Sequence, residues 1–225
     1  MFGEEYTLVA CADYILSKNK GNVVSNLSSS RALRDIAKKH GVQYAASAVG
    51  EVNVVAKMKE VNAIIGGEGN GGIIFPELHY GRDALLGVAL FLSLLTDKNI
   101  TVSALRKSYP AYYMSKNKIE LSAGLNPDKV LAAVKERYAH EPITTIDGVK
   151  IDFANSWVHL RKSNTEPIIR IYTEAKSQVE ADALAQRFLE EMKELANWLG
   201  DLAIWRFGDL PICQFVDLAI ALAND

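Results

Sequence analysis

The sequence predicts an α/β fold in two parts, a parallel α/β unit followed by a small α+β unit of one sheet with two helices, plus an irregular repeat tail. Three observations predict it. In the first half, short apolar strands alternate with stretches of helical periodicity, as in a parallel sheet whose crossovers are helices. In the second half, strands follow one another around turn signals and are joined by two amphipathic helices. Near the end a six-residue phrase recurs at a spacing of eight: LGDLAI (Leu199–Ile204), FGDLPI (Phe207–Ile212) and FVDLAI (Phe215–Ile220).

The elements of the first half read in order. Residues 5–18 carry Leu8, Ala12, Ile15 and Leu16 at helical spacing, and Asn22–Asn26 is a short strand. Ser29 or Ser30 caps a helix whose Leu33, Ile36 and Ala37 face inward, and Gly41 stands where a C′ glycine belongs. Val42–Ala46 is a second strand and Val52–Val61 a helix. Ala63–Ile65 is a third strand that runs into a glycine-rich turn. Arg82–Thr96 is apolar on nearly every face, which predicts a helix covered on both sides.

The alternation then changes. Residues 108–113, with Ser108, Tyr109, Pro110, Tyr112 and Tyr113, read as a linker between a domain at 1–107 and another at 114–196. Ile119–Ser122 is a strand. Asn126-Pro127-Asp128 is an N-cap with proline at N1, opening a helix that turns Val130, Leu131, Val134 and Tyr138 to one side. Asp147-Gly148 is a hairpin signal between Ile143–Ile146 and Val149–Phe153. Ser156–Leu160 and Ile168–Thr173 are strands around a polar loop. Ser177 and Glu180 form a capping box for a helix with Leu184, Phe188, Met192 and Leu195 inward. The repeat occupies a tail at 197–225. Its period of eight matches neither helix nor strand, and its Trp198, Trp205, Phe207 and Phe215 suit packing or association.

Composition narrows the function classes. The chain has 225 residues, 49% of them apolar, with 25 basic against 27 acidic residues. That balance is globular and lacks the basic excess of a nucleic-acid binder. Cys11 and Cys213 are the only cysteines and form no CxxC pair, which fits a reducing, cytoplasmic location. The longest apolar run, Ala84–Leu95, is shorter than the roughly 20 residues a membrane span requires, so no membrane partner is expected. The four histidines show no metal-ligand spacing, and no metal site is expected.

Two loops carry residues suited to chemistry. Gly66–Gly72 (GGEGNGG) ends a buried strand, where ligands of open parallel sheets sit. Its glycines admit close approach, and Glu68 and Asn70 offer an acceptor and a mixed donor and acceptor for sugar hydroxyls. A surface turn explains the loop equally well on spacing alone. Arg161–Pro167 (RKSNTEP) gathers a guanidinium, two hydroxyls, an amide and loop N–H groups, a cradle for phosphate, with Arg170 on the following strand. A solvated hairpin loop has the same composition.

Together the loops resemble those of the α-D-phosphohexomutase superfamily, the phosphoglucomutases, phosphomannomutases and phosphoglucosamine mutases. GEGNGG (Gly67–Gly72) is similar to the family's sugar-recognition loop, and RKSNTEP (Arg161–Pro167) to its phosphate-binding loop; order and spacing match as well. VGEVNV (Val49–Val54) resembles the phosphoglucosamine or phosphomannomutase branch. The likeness covers about residues 2–196 and implies most of the family's third domain, truncated at its start, and all of its fourth. The family's phosphorylated serine and its DGDGDR-type metal loop have no counterpart in the sequence, and Gly72 stands where a histidine is common.

The resemblance implies a mutase chemistry, phosphoryl transfer between C1 and C6 of a hexose phosphate. Gly67, Glu68, Gly69, Asn70, Gly71 and His79 would bind the sugar, with Arg82 lining the cleft; Arg161, Ser163, Asn164, Thr165 and Arg170 would bind phosphate. No cofactor is expected in this chain, while Mg²⁺ and hexose 1,6-bisphosphate are implied for the whole family. The expected partners are a hexose phosphate, the missing N-terminal half, and a second copy through a bare sheet edge and the tail. Such a chain binds without turnover. A stand-alone phosphosugar-binding module and a non-functional truncated product remain as alternatives.

Overall fold

A computed structural model describes residues 2–120, 126–163, 166 and 168–205. The first unit runs α1 (Glu4–Lys18), β1 (Asn22–Asn26), α2 (Ala32–His40), β2 (Tyr44–Ser47), α3 (Glu51–Glu60), β3 (Ala63–Glu68), β4 (Gly72–Ile74), α4 (Ala84–Lys98) and α5 (Val102–Ser108). Its sheet has the order β2-β1-β3-β4. β1 pairs in parallel with β2 and β3, and β4 returns antiparallel on β3. The glycine loop is therefore the tip of a β3–β4 hairpin on an otherwise parallel sheet. β1 and β3 are the inner strands of this sheet, and β2 and β4 are its edges.

Local chemistry explains where elements begin. Gly41 adopts φ 69°, and the N–H of Val42 bonds the carbonyl of Ala37. Residue 42 thus still closes α2 in a Schellman turn, and β2 starts at Tyr44 rather than Val42. Ser30 Oγ accepts from Ala32 N at 3.2 Å, while Ser29 turns away to bond Asn26 Oδ1 at 2.9 Å. α1, α2, α4 and α5 share one core with Ile65 and Ile73; α3 covers the other face through Val54 and Met58.

The expectation for α4 is overturned. It packs on α1 and β4 through Gly87 and Leu94, but Leu85 is 83% exposed and Val88 and Leu92 are each 56% exposed. The helix lies on the outside of the α1 layer, and no element covers its far side among the described residues. Uniform apolarity hid this, because a helix without a polar face gives no sign of which side is covered. Among the described residues, no single helix is long and apolar enough to cross a membrane.

The second unit comprises β5 (Tyr113–Glu120), α6 (Pro127–Arg137), β6 (Ile143–Thr144), β7 (Val149–Asp152), β8 (Trp157–Lys162), β9 (Ile168–Ala175) and α7 (Gln178–Trp205). The antiparallel order is β5-β9-β8-β7-β6, with α6 and α7 over one face around Val134, Phe188 and Met192. β5 begins six residues before the expected Ile119, because Lys116 and Lys118 mask it; lysines on an edge strand protect its free hydrogen-bonding side. α7 runs to Trp205, so the first repeat phrase, 199–204, is helical. The phrases at 207–220 lie outside the described residues. The segment between α5 and β5 is packed down: Tyr109 and Tyr112 are buried, and Tyr112 Oη donates to Asp35 Oδ2 at 2.6 Å.

A polar seam joins the units. The Arg31 guanidinium, at the start of α2, reaches Asp152 Oδ1 (2.9 Å) and the carbonyls of Phe153 (3.1 Å), Ala154 (3.3 Å) and Ser156 (2.8 Å). Glu174 Oε1 accepts from Arg31 N (3.0 Å) and Trp157 Nε1 (2.7 Å), and Lys150 Nζ donates to Leu27 O (2.8 Å). Replacing Arg31 by alanine removes the donor to the carbonyls of Phe153 and Ala154 and leaves Asp152 only the more distant Arg34 at 3.8 Å, while Ser156 O keeps Phe153 N at 2.9 Å. We expect Arg31→Ala to cost about 3–5 kcal/mol in urea unfolding, with Arg31→Lys recovering part; a loss below about 1 kcal/mol contradicts a seam held by this residue.

Candidate active site

β3 delivers Glu68 to the carboxyl end of the sheet, where its side chain is 5% exposed. Oε1 accepts from Asn26 Nδ2 at 2.9 Å and from Gly50 N at 3.2 Å; Oε2 faces Arg82 Nη1 at 3.3 Å. The carboxylate thus draws together the ends of β1 and β3, the N-terminus of α3, and the segment before α4. Gly71 takes φ 85°, which glycine supplies without strain, and its N–H bonds Glu68 O at 3.2 Å. A Cβ at Gly69 would run into the Glu5 carboxyl, and Gly69 N donates to Ser29 Oγ at 2.9 Å. Asn70 stands exposed at the tip, its Oδ1 accepting from Gly72 N at 3.1 Å.

The second wall comes from β8 and β9. Arg161, with 21% of its side chain exposed, places Nε 3.8 Å from Asp147 Oδ2. The same Asp147 oxygen accepts from Val49 N at 2.9 Å. A short path of contacts therefore runs from Arg161, through its 3.8 Å ion pair with Asp147 and the hydrogen-bonded Val49-Gly50 backbone, to Glu68, so that Arg161 and Glu68 come close to one another. Arg161 lies directly opposite Arg170, which in turn lies opposite Lys118, so three cations form a row across β8, β9 and β5. Like charges directly opposite repel, and an anion on that face relieves them. Glu166 Oε2, 3.8 Å from Arg170 Nη2, relieves them in part. Ser163 N is bonded to Ile168 O at 3.0 Å, while Asn164 and Thr165 lie outside the described residues.

His79 is exposed, and its Nε2 pairs at 3.1 Å with Asp83, whose other oxygen caps α4 through Leu86 N. It is thus engaged with the start of α4, whereas Arg82, on the same segment, reaches Glu68 itself. Sequence reasoning missed Asn26, Gly50 and Asp147. Asn26 ends a parallel strand, the position at which such sheets bind ligands, and was discoverable on that ground. Asp147 comes from the other unit, and no local signal marks it. Two cavities, of about 380 and 150 Å³, lie elsewhere, one against α7 and one beside Ile15 and Phe75. Among the described residues, no group of three or more His, Cys, Asp or Glu side chains could hold a metal ion.

Comparison with known proteins accounts for both units. Residues 3–113 match the family model described as phosphoglucomutase/phosphomannomutase, alpha/beta/alpha domain III, and residues 118–191 match that of the C-terminal domain. The phosphoglucosamine/phosphogalactosamine mutase of Sulfurisphaera tokodaii is 35% identical over 177 residues, 78% of this chain and 38% of the relative. The phosphoglucomutase/phosphomannomutase of Thermococcus kodakarensis is 37% identical over 178 residues, 78% of this chain and 39% of the relative. The chain thus spans about two fifths of the length of these relatives. The crystal structure of a phosphoglucomutase/phosphomannomutase family protein from Burkholderia thailandensis shares the fold with a TM-score of 0.70 at 23% identity, over 85% of this chain and 41% of that one.

Protonation at the cleft follows from the bonding. His159 Nε2 faces the carbonyl of Asp147 at 2.6 Å and must donate; Nδ1 therefore accepts from Ser28 Oγ at 2.9 Å. Burial pushes the imidazole down to about 4, so it is neutral. Burial pushes the Glu5 carboxyl, bonded to Ser30 N at 2.9 Å, up to about 8. The unfolded chain binds a proton at His159 between about pH 4 and 6.5 that the folded chain does not, so the histidine's contribution is complete above pH 6.5 and is lost as pH falls toward 4. The integrated loss is on the order of 3 kcal/mol. Glu5 acts with the opposite sign between about pH 4.5 and 8, so the difference between variants is the informative quantity. Denaturant titrations from pH 7 to 4 should show native stability falling toward that of His159→Asn; a pH-independent difference contradicts the assignment.

Proposed function

The chain belongs to the phosphoglucomutase/phosphomannomutase family, and we propose that it serves as the sugar- and phosphate-gripping part of a phosphohexomutase, of phosphoglucosamine or phosphomannose type. The observation that supports this reading is the path of contacts from Glu68 through Gly50, Val49 and Asp147 to Arg161, which brings a carboxylate and a guanidinium near one another. A hexose phosphate has hydroxyls at one end and a dianion at the other, and these two groups complement it. The row of Arg161, Arg170 and Lys118 takes the phosphate that is not reacting, and Glu68 and Asn70 take the hydroxyls.

In the proposed reaction the phosphoryl group moves between C1 and C6, so the sugar must be held in two orientations. What these residues supply is positioning, worth several kcal/mol of a phosphoryl-transfer barrier when the reacting atoms are held in line. The phosphorylated serine, the Mg²⁺ and its ligands belong, in this reading, to the N-terminal half of the relatives, with hexose 1,6-bisphosphate as the intermediate that turns over. The five residues assigned to binding are all in this chain, which favours a second reading as a phosphosugar-binding module acting alone.

Calorimetry separates these readings. Glucosamine 6-phosphate should bind the chain, and Arg161→Ala should weaken it at least tenfold, since a hydrogen bond to a charged group is worth about 1.5–3 kcal/mol. No binding to the unmodified chain overturns both readings. In a coupled assay with hexose 1,6-bisphosphate and Mg²⁺ the chain alone should not isomerise the sugar. Activity restored by a co-expressed N-terminal half supports the mutase role; unchanged binding and no activity with that half supports the stand-alone module.

A further inference from the structure

Arg82 occupies a position that the two recognition loops do not explain. Its aliphatic stem lies over Gly72, so that a Cβ built on Gly72 would sit 2.6 Å from Arg82 Cδ and 3.1 Å from Cγ. Its guanidinium bridges two carboxylates: Nε to Glu51 Oε2 at 2.9 Å and Nη1 to Glu68 Oε2 at 3.3 Å, while its own N–H bonds Glu51 Oε1 at 3.1 Å. Glu51 opens α3, directly after Gly50, whose N–H holds the other oxygen of Glu68. These contacts lower the proton affinity of Glu51, the Arg82 backbone N–H first and the guanidinium next.

We propose that Arg82 is the positioning residue of the hexose-binding loop, seated by the missing side chain at Gly72 and fixing the Glu68 carboxylate in the orientation that sugar hydroxyls meet. This deepens the hexose-phosphate reading and rests on it. The geometry has a consequence that is specific to it. Any side chain at residue 72 competes with the Arg82 stem for the same space. Gly72 does not use a left-handed backbone, and the obstructing atoms belong to side chains, the flexible Arg82 stem closest and Asn70 Oδ1 next at 3.1 Å. Alanine at 72 is therefore accommodated cheaply by swinging Arg82 aside, which breaks the clamp without disturbing the fold.

The test is a double-mutant cycle on the full chain, read by calorimetry with two probes, glucosamine 6-phosphate and inorganic phosphate, and by amide exchange of Gly69 and Gly71. Arg82→Ala and Gly72→Ala should each weaken glucosamine 6-phosphate by about tenfold or more and leave inorganic phosphate within about twofold, since the Arg161 row is untouched. The double variant should be no worse than either single one, and Arg82→Lys should be intermediate. Both single variants should speed exchange of Gly69 and Gly71. Additive losses, or sugar affinity unchanged in Arg82→Ala, overturn the proposal. Should the unmodified chain bind no hexose phosphate, the functional reading fails and the exchange data alone judge the clamp: faster loop exchange in both variants supports it, and unchanged exchange overturns it.

Discussion

The buried carboxylate of Glu68 is the constraint around which the first unit is arranged. A carboxylate with 5% exposure is costly unless its lone pairs are met. Here they are met by Asn26, Gly50 and Arg82, three groups from three elements. Each must arrive at a fixed place for the cost to be offset, so the charge specifies where β1 ends, where α3 begins, and how the chain enters α4. The placement of the groups proposed to meet a ligand is a consequence of that convergence. Asn26 Oδ1 in turn accepts from Ser28 N and Ser29 Oγ, which shapes the loop that meets the second unit.

The contact between the units is built the same way. An apolar interface tolerates sliding, because dispersion contacts have little direction; hydrogen bonds to charged groups do not. Arg31 on the turn at 152–156, Lys150 on Leu27 O and Ser28 on His159 each fix a separate point of the seam. The seam is not tuned for stability alone: Arg31 Nε and Glu174 Oε2 are buried without hydrogen-bond partners. What it delivers is register. The Asp147 carboxylate lands on Val49 N, and Arg161, paired with it at 3.8 Å, is carried toward the end of the sheet where Glu68 sits.

How much of this was legible in the sequence depends on how local the cause was. The caps at Gly41, Asn126 and Ser177, the Asp147-Gly148 turn and the inward faces of α1, α2 and α6 are set within a few residues, and reading them needed no partner. α4 was misread because burial is decided by which layer lies beside a helix, which composition does not record. The start of β5 was hidden because its exposed lysines resemble a loop. Both recognition loops were legible as loops, through their glycines and their clustered polar groups. The clamp of Arg82 on Glu51 and Glu68, and the reach of Asp147 and His159 across the seam, arise from pairs far apart in sequence, and no spacing rule identifies them.

Contact lengths within the cleft indicate which partners a ligand can displace. The bonds that anchor the walls are short: Asn26 to Glu68 at 2.9 Å, Val49 to Asp147 at 2.9 Å, Ser28 to His159 at 2.9 Å. Those that face the open side are long: Arg161 to Asp147 at 3.8 Å and Arg170 to Glu166 at 3.8 Å. On the proposed reading, a hexose phosphate would compete with the second set and leave the first in place, so the walls would persist while their inner faces exchange partners. On that reading, a sugar that turns end for end between two phosphoryl steps needs such a division. The frame must hold while the ligand is loose, and the groups that grip it must each have an internal partner to fall back on, so that no charge is left bare as it turns.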